Sequence, residues 1–126
     1  MSLTPGDVER VLALALDLAR AGETEQLAEF LDHGLPVDAT SESGDSLLML
    51  AAYHDRPDTV SMLLSRGADP DLRNARDQSI IAGALFKGAD EAVRLLVAAG
   101  ADLDAGTPTA RQAAEMFGRG GLLEED

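Results

Sequence analysis

A chain of 126 residues has room for one small domain or a short repeat array; 45% hydrophobic but only 3% aromatic residues predict an aliphatic, alanine-rich core. Ten basic against 23 acidic residues give a formal charge of -13, which repels phosphate backbones and anionic membrane surfaces, so nucleic acid and membranes are not expected partners. The absence of cysteine excludes disulfides and thiol chemistry; with no apolar run near the roughly 20 residues of a bilayer span and no signal-peptide layout, a soluble, cytoplasmic protein is expected.

A fixed period organises the sequence. Gly34, Gly67 and Gly100 are spaced 33 apart, and so are Asp38, Asp71 and Asp104. Three apolar rows return in the same phase: Leu27, Val60 and Val93; Phe30, Leu63 and Leu96; Leu31, Leu64 and Val97. Such a period marks stacked supersecondary units.

In chain order, Met1, Ser2 and Leu3 have the look of an expression leader and enter no argument. Thr4 and Pro5 start a long opening helix that Gly22 ends, with Val8, Val11, Leu12, Ala15, Leu18 and Ala19 at helical spacing. Asp7, Glu9 and Asp17 give it a wet outer face, as suits a terminal unit. Next, Ser46 caps a first helix "LLMLAAYH", and Pro57 opens a second, "PDTVSMLLSRG", which Gly67 closes in the left-handed conformation cheap only for glycine. Ser79, a helix from Asp90 to Ala99, and Gly100 repeat the plan. The last unit, "GTPTARQAAEMFGRGGLLEED", offers a first helix from Thr109 to Phe117, after a loop three residues shorter, and has no room for a full second helix. It reads as a truncated cap whose acidic tail, Glu124, Glu125 and Asp126, lies in solvent.

A helix pair of this size cannot bury its own apolar stripe, so about three or more units must stack. The expected fold is an all-α solenoid of about four helix-turn-helix units, spanning 4–40, 41–73, 74–106 and 107–126, with the first and last as caps of one domain over 4–126. Pairs such as Ala51 and Ala52 allow neighbouring first helices to approach closely.

From about Val11 to Arg119 the chain resembles ankyrin repeats. "GDSLLMLAAYHDRPDTVSMLLSRGADPD" from Gly44 and "DQSIIAGALFKGADEAVRLLVAAGADLD" from Asp77 follow that family's β-turn finger, "TPLHxAA" first helix, second helix ending in "LL", and "GADVN" loop. The motif's histidine, which in the family bonds back to the threonine hydroxyl, is replaced by Met49 and Ala82, and its proline by Leu47 and Ile80. The first turns are therefore expected to be less rigid than in consensus repeats.

Asp69 and Asp71, with Asp102 and Asp104, have the alternating spacing of calcium-loop carboxylates, but no glutamate closes a twelve-residue loop. The resemblance implies instead that Asp71 and its equivalents hold each loop to the next repeat, as aspartate does by bonding nearby backbone amides. His33 falls at a helix C-terminus, where the dipole favours a cation; His54 ends a first helix. No Gly-x-Ser-x-Gly elbow or nucleophile-base pair is legible, and Gly83, Gly88, Gly118, Gly120 and Gly121 form no phosphate loop. No enzyme activity, metal or cofactor is expected.

The resemblance implies that ligands meet a concave surface made by the fingers and the first-helix ends. Aligned so, the finger positions are Glu42, Ser43, Asp45, Arg73, Ala75, Arg76 and Gln78; the helix ends give two ladders, Arg20, Tyr53, Phe86 and Met116 beside Ala21, His54, Lys87 and Phe117. Three of the four aromatics lie in these ladders, and Tyr53 and Phe86 fall outside the apolar rows of their units. Aromatics and arginine dominate binding hot spots. Phe86 and Phe117 either meet a partner or fold back onto the neighbouring helix. Arg20, Arg73, Arg76 and Lys87 make the groove floor near neutral or locally basic despite the net charge.

The sequence thus predicts a monomeric, non-enzymatic protein-interaction module whose partner is a protein with a basic or mixed-charge surface. Tyr53, His54, Phe86 and Lys87 form the centre of the expected site, with Arg73, Arg76, Gln78, Asp45 and Glu42 in the fingers. An acidic inhibitor or immunity-type protein that blocks a basic enzyme is the first alternative, and a metal-binding protein or enzyme the second.

Overall fold

The structure is a computed structural model that describes residues 4–123; Met1, Ser2 and Leu3, read above as a leader, and Glu124, Glu125 and Asp126, read above as a solvent-exposed tail, lie outside the described residues. Its helices are α1 (Pro5–Ala21), α2 (Thr24–Asp32), α3 (Leu47–Tyr53), α4 (Pro57–Ser65), α5 (Ile80–Lys87), α6 (Asp90–Ala98) and α7 (Ala110–Met116), followed by a 3-10 turn at Gly120–Leu123.

The odd-numbered helices share one starting device. Thr4, Ser46, Ser79 and Thr109 each sit in extended backbone and accept a hydrogen bond from the amide three residues on, that of Asp7, Met49, Ala82 and Gln112. Each such cap is worth about 1 kcal/mol. With methionine and alanine where the family motif has histidine, the Ser46 and Ser79 hydroxyls bond the Met49 and Ala82 amides at 3.0 and 3.2 Å. The helices α2, α4 and α6 lack a side-chain cap and instead carry acids in the first turn, Glu25, Asp58, and Asp90 with Glu91, which complement the positive end of the helix dipole. Gly67, just beyond α4, has φ +86°, the left-handed geometry its position in the sequence predicts.

α1, α3, α5 and α7 pack side by side in one row, and α2, α4, α6 and the 3-10 turn form a second row behind it. The close approach in the first row falls where side chains are small: Ala15, Ala19, Ala51, Ala52, Ala84, Ala113 and Ala114 are all buried. Between the rows lies the aliphatic core, including Leu27, Val60, Leu63, Val93 and Leu96, all members of the repeated apolar rows; each large side chain so buried contributes roughly 1.5–3 kcal/mol. Among the described residues a 3-10 turn, with Leu123 buried, stands where a fourth second helix would be.

The aspartate pairs divide their work. Asp69 and Asp102 each accept from the amide two residues ahead, that of Asp71 and Asp104, and so fold their own loop. Asp38 accepts from the Asp69 amide at 2.9 Å and Asp71 from the Asp102 amide at 2.6 Å, which ties each loop to the next. Asp104 meets no further loop and pairs with Arg111 at 3.1 Å.

The fingers are short antiparallel bridges, Thr40 with Ser46 and Arg73 with Ser79. They stack through backbone bonds from Ala75 to Ser43 and from Thr107 to Asp77, both 2.8 Å. Among the described residues no helix is long and apolar enough to cross a membrane.

Candidate functional site

Four of the six large apolar side chains left exposed among the described residues collect in one place, the other two being Val8 and Leu14 on α1. Among the described residues Tyr53, Phe86, Met116 and Phe117 are 36, 61, 70 and 41% exposed, and all four stand at the C-terminal ends of α3, α5 and α7. Together with the finger wall at Gln78, Ser79, Thr107 and Pro108, they bound a groove of about 350 Å³.

Its floor is open because its residues are small. Ala82 and Gly83 on α5 and Ala113 on α7 line it, and Met49 on α3 closes one side. A Cβ on Gly83 would meet Tyr53 Cδ1 at 3.3 Å, so the missing methyl lets the tyrosine ring lie against α5. Ala82, which occupies the place of the family motif's histidine, is one of these small lining residues.

The two helix-end ladders are laced diagonally: a residue of one ladder meets the other ladder's residue on the next helix. Lys87 Nζ lies 5.0 Å above the Tyr53 ring, in cation-π contact. Phe86 and Phe117 meet edge to face with ring centroids 5.8 Å apart, so each aromatic is packed on one side and exposed on the other. Tyr53 also meets His54 edge to face, at 5.8 Å.

His54 caps the C-terminus of α3. Partial burial holds its pKa below the ordinary 6.5, and the positive charges of Arg20, Lys87 and Arg56 press it further down. Arg56 is itself placed by a bond from Nε to the Arg20 carbonyl oxygen at 2.9 Å.

Of the residues singled out in the sequence, the structure brings Tyr53, His54, Phe86 and Lys87 together, and Gln78 stands on the groove wall. The finger residues divide differently. Asn74 Nδ2 donates to Asp45 Oδ1 at 3.0 Å and to Gln78 Oε1 at 2.7 Å, so both predicted contact residues are engaged in holding the fingers together. Arg73 is paired with Asp77 at 2.9 Å. Glu42 and Arg76 are exposed in their fingers and do not line the groove. Met49, Ala82, Gly83, Pro108 and Ala113 line it without having been singled out as contacts. The signal for them was present in the replaced histidine at Ala82 and the glycine beside it, which bear on space as well as on rigidity.

The chain matches the family described as ankyrin repeats, in three copies, over residues 14–107. Among curated proteins it is 50% identical over 46 residues to an ankyrin repeat protein of Pseudomonas aeruginosa, covering 36% of this chain and 27% of that one. It is 34% identical over 93 residues to an ankyrin repeat-containing protein of Treponema pallidum, covering 73% and 30%. With the human mitochondrial disaggregase it shares 37% identity over 60 residues, 48% of this chain and 8% of that protein. The matched region thus spans less than a third of each of these relatives. Helix pairs at a 33-residue period, stacked β-turn fingers and a three-copy family match over most of its length agree: the chain belongs to the ankyrin repeat family.

Proposed function

We propose that the chain acts without catalysis, as a single interaction domain over residues 4–126 that takes a protein partner into the groove bounded by Tyr53, Phe86, Met116 and Phe117. Ankyrin repeats are in general protein-interaction modules. The observation that carries the reading is that, of the six exposed large apolar side chains among the described residues, four converge on one groove, the other two being Val8 and Leu14 on α1. An exposed apolar patch of this kind on a charged surface marks an interaction site. Tyr53, Phe86 and Lys87 supply the energetic centre; His54, Gln78 and the finger residues Glu42, Asp45, Arg73 and Arg76 form the rim.

Differential capture tests this. Wild-type protein and a Tyr53→Ala, Phe86→Ala double variant are each used as bait in lysate of the native organism, and bound proteins are quantified by mass spectrometry. A groove partner is retained by the wild type and lost from the double variant, since losing such anchors costs at least ~2 kcal/mol of binding. Every wild-type partner surviving on the double variant would overturn the docking surface.

The charge of -13 supports a second reading, an acidic inhibitor that blocks a basic enzyme. Association driven by that field weakens steeply as salt rises; binding that is indifferent to salt counts against it.

A further inference from the structure

The few cations of this acidic chain are not evenly used. Of its ten basic residues, every arginine except Arg56 and Arg76 is paired with a carboxylate of the chain itself. Among the described residues Arg56, Arg76 and Lys87 have no carboxylate partner. Lys87 does not line the groove itself but lies over the ring of Tyr53, which does. Arg56, held by its bond to the Arg20 carbonyl oxygen, and Lys87 both bear on the His54 imidazole. Carboxylates stand nearby as well: Asp17, which Arg20 holds at 2.6 Å, and Asp55 and Asp58, which line one recess with Arg56. The Tyr53 shoulder of the groove therefore carries a cation with no carboxylate partner among the described residues, Lys87, in a protein whose net charge is -13.

Beside that shoulder the groove is mainly apolar. Its volume of about 350 Å³ is at the small end of ligand clefts, roughly 300–1,000 Å³, and suits one or two bulky side chains of a chain lying across it. We propose that the groove recognises an extended acidic-apolar peptide segment, in which a bulky apolar side chain enters between Tyr53, Phe86 and Phe117 and a neighbouring aspartate or glutamate pairs with Lys87. This rests on the docking function proposed above and adds the chemistry of the docked segment. Lys87 is exposed and unpaired, so a partner's carboxylate displaces no internal ion pair. The long-range negative field works against wholly acidic partners, so the partner that fits is of mixed charge, with its acid local to the docking segment.

The test uses a display library of short random peptides selected on wild-type protein. Selected peptides are then measured against Lys87→Glu, Arg94→Glu and the Tyr53→Ala, Phe86→Ala double variant. Arg94→Glu makes the same change in net charge on α6, away from the groove, and each variant's fold is checked by its circular-dichroism melt. The expected peptides carry an aspartate or glutamate next to a bulky apolar residue. They lose about fivefold or more in affinity for Lys87→Glu and stay within about twofold for Arg94→Glu, and selection on Lys87→Glu replaces the acid with lysine or arginine. Peptides that need Tyr53 and Phe86 but bind Lys87→Glu as they bind Arg94→Glu would overturn this proposal and leave the docking function standing. Peptides that bind the double variant as well as the wild type would overturn both.

Discussion

A Cβ on Gly83 would stand 3.3 Å from Cδ1 of Tyr53, so the groove's shape depends on a missing methyl group. Gly83 is mid-helix in α5 and has no positive φ to justify it; there, glycine costs about 1 kcal/mol relative to alanine. Tyr53 is partly exposed and can tilt outward by the few tenths of an ångström required. Gly83→Ala should therefore raise stability by ~0.5–1 kcal/mol in urea denaturation while weakening binding of groove-selected peptides. A loss of stability would mean that the tyrosine ring is held too firmly to move.

The inter-row core makes the opposite prediction. Leu63 is fully buried, and Leu63→Ala should cost ~2–5 kcal/mol of stability as transfer and cavity terms add. Leu14, exposed on α1, provides the contrast: Leu14→Ala should stay within about 0.5 kcal/mol. Chemical denaturation of both variants compares the two directly.

The loop ties are each a single hydrogen bond. Asp71→Ala removes the acceptor of the Asp102 amide and should cost ~1 kcal/mol, whereas Asp71→Asn keeps an acceptor and should cost less. Equal losses in the two variants, measured by urea melts, would show that charge rather than the bond matters there.

His54 links stability to pH. Its folded-state pKa lies below the unfolded value of 6.5, so between the two the unfolded chain binds more protons than the folded one. The neutral imidazole's contribution is fully present above about pH 6.5 and is lost as pH falls through the folded-state pKa. An NMR titration should place the His54 midpoint below 6.5, and Lys87→Ala should move it upward by removing one of the cations that depress it. A midpoint at or above 6.5 would contradict the depression of His54 by burial and by these cations.

The period of 33, the buried rows and the helix caps were legible because each is a local or strictly repeated property. Ser46, Pro57, Gly67 and Ser79 act where the sequence places them, and Asp71 ties its loop as the resemblance implies. The site was legible only in part. Alignment set Tyr53 beside Phe86 and His54 beside Lys87, whereas the structure pairs Tyr53 with Lys87 and Phe86 with Phe117. That lacing depends on the offset between neighbouring helices, which no single helix encodes. Asp45 and Gln78 looked available for a partner because their common bonding partner, Asn74, reaches back from the next finger to Asp45, 29 residues earlier. The groove floor was hidden for a different reason: Ala82, Gly83 and Ala113 matter there through the side-chain volume they lack.

The central claim, that the groove is where a partner docks, is tested most directly by amide NMR of the wild type titrated with a peptide selected on it. Docking as proposed shifts the amides of Tyr53, Gly83, Phe86, Lys87 and Phe117 and leaves those of α4 and α6 on the opposite row in place. Shifts confined to α2, α4 and α6, with the groove amides unmoved, would contradict it.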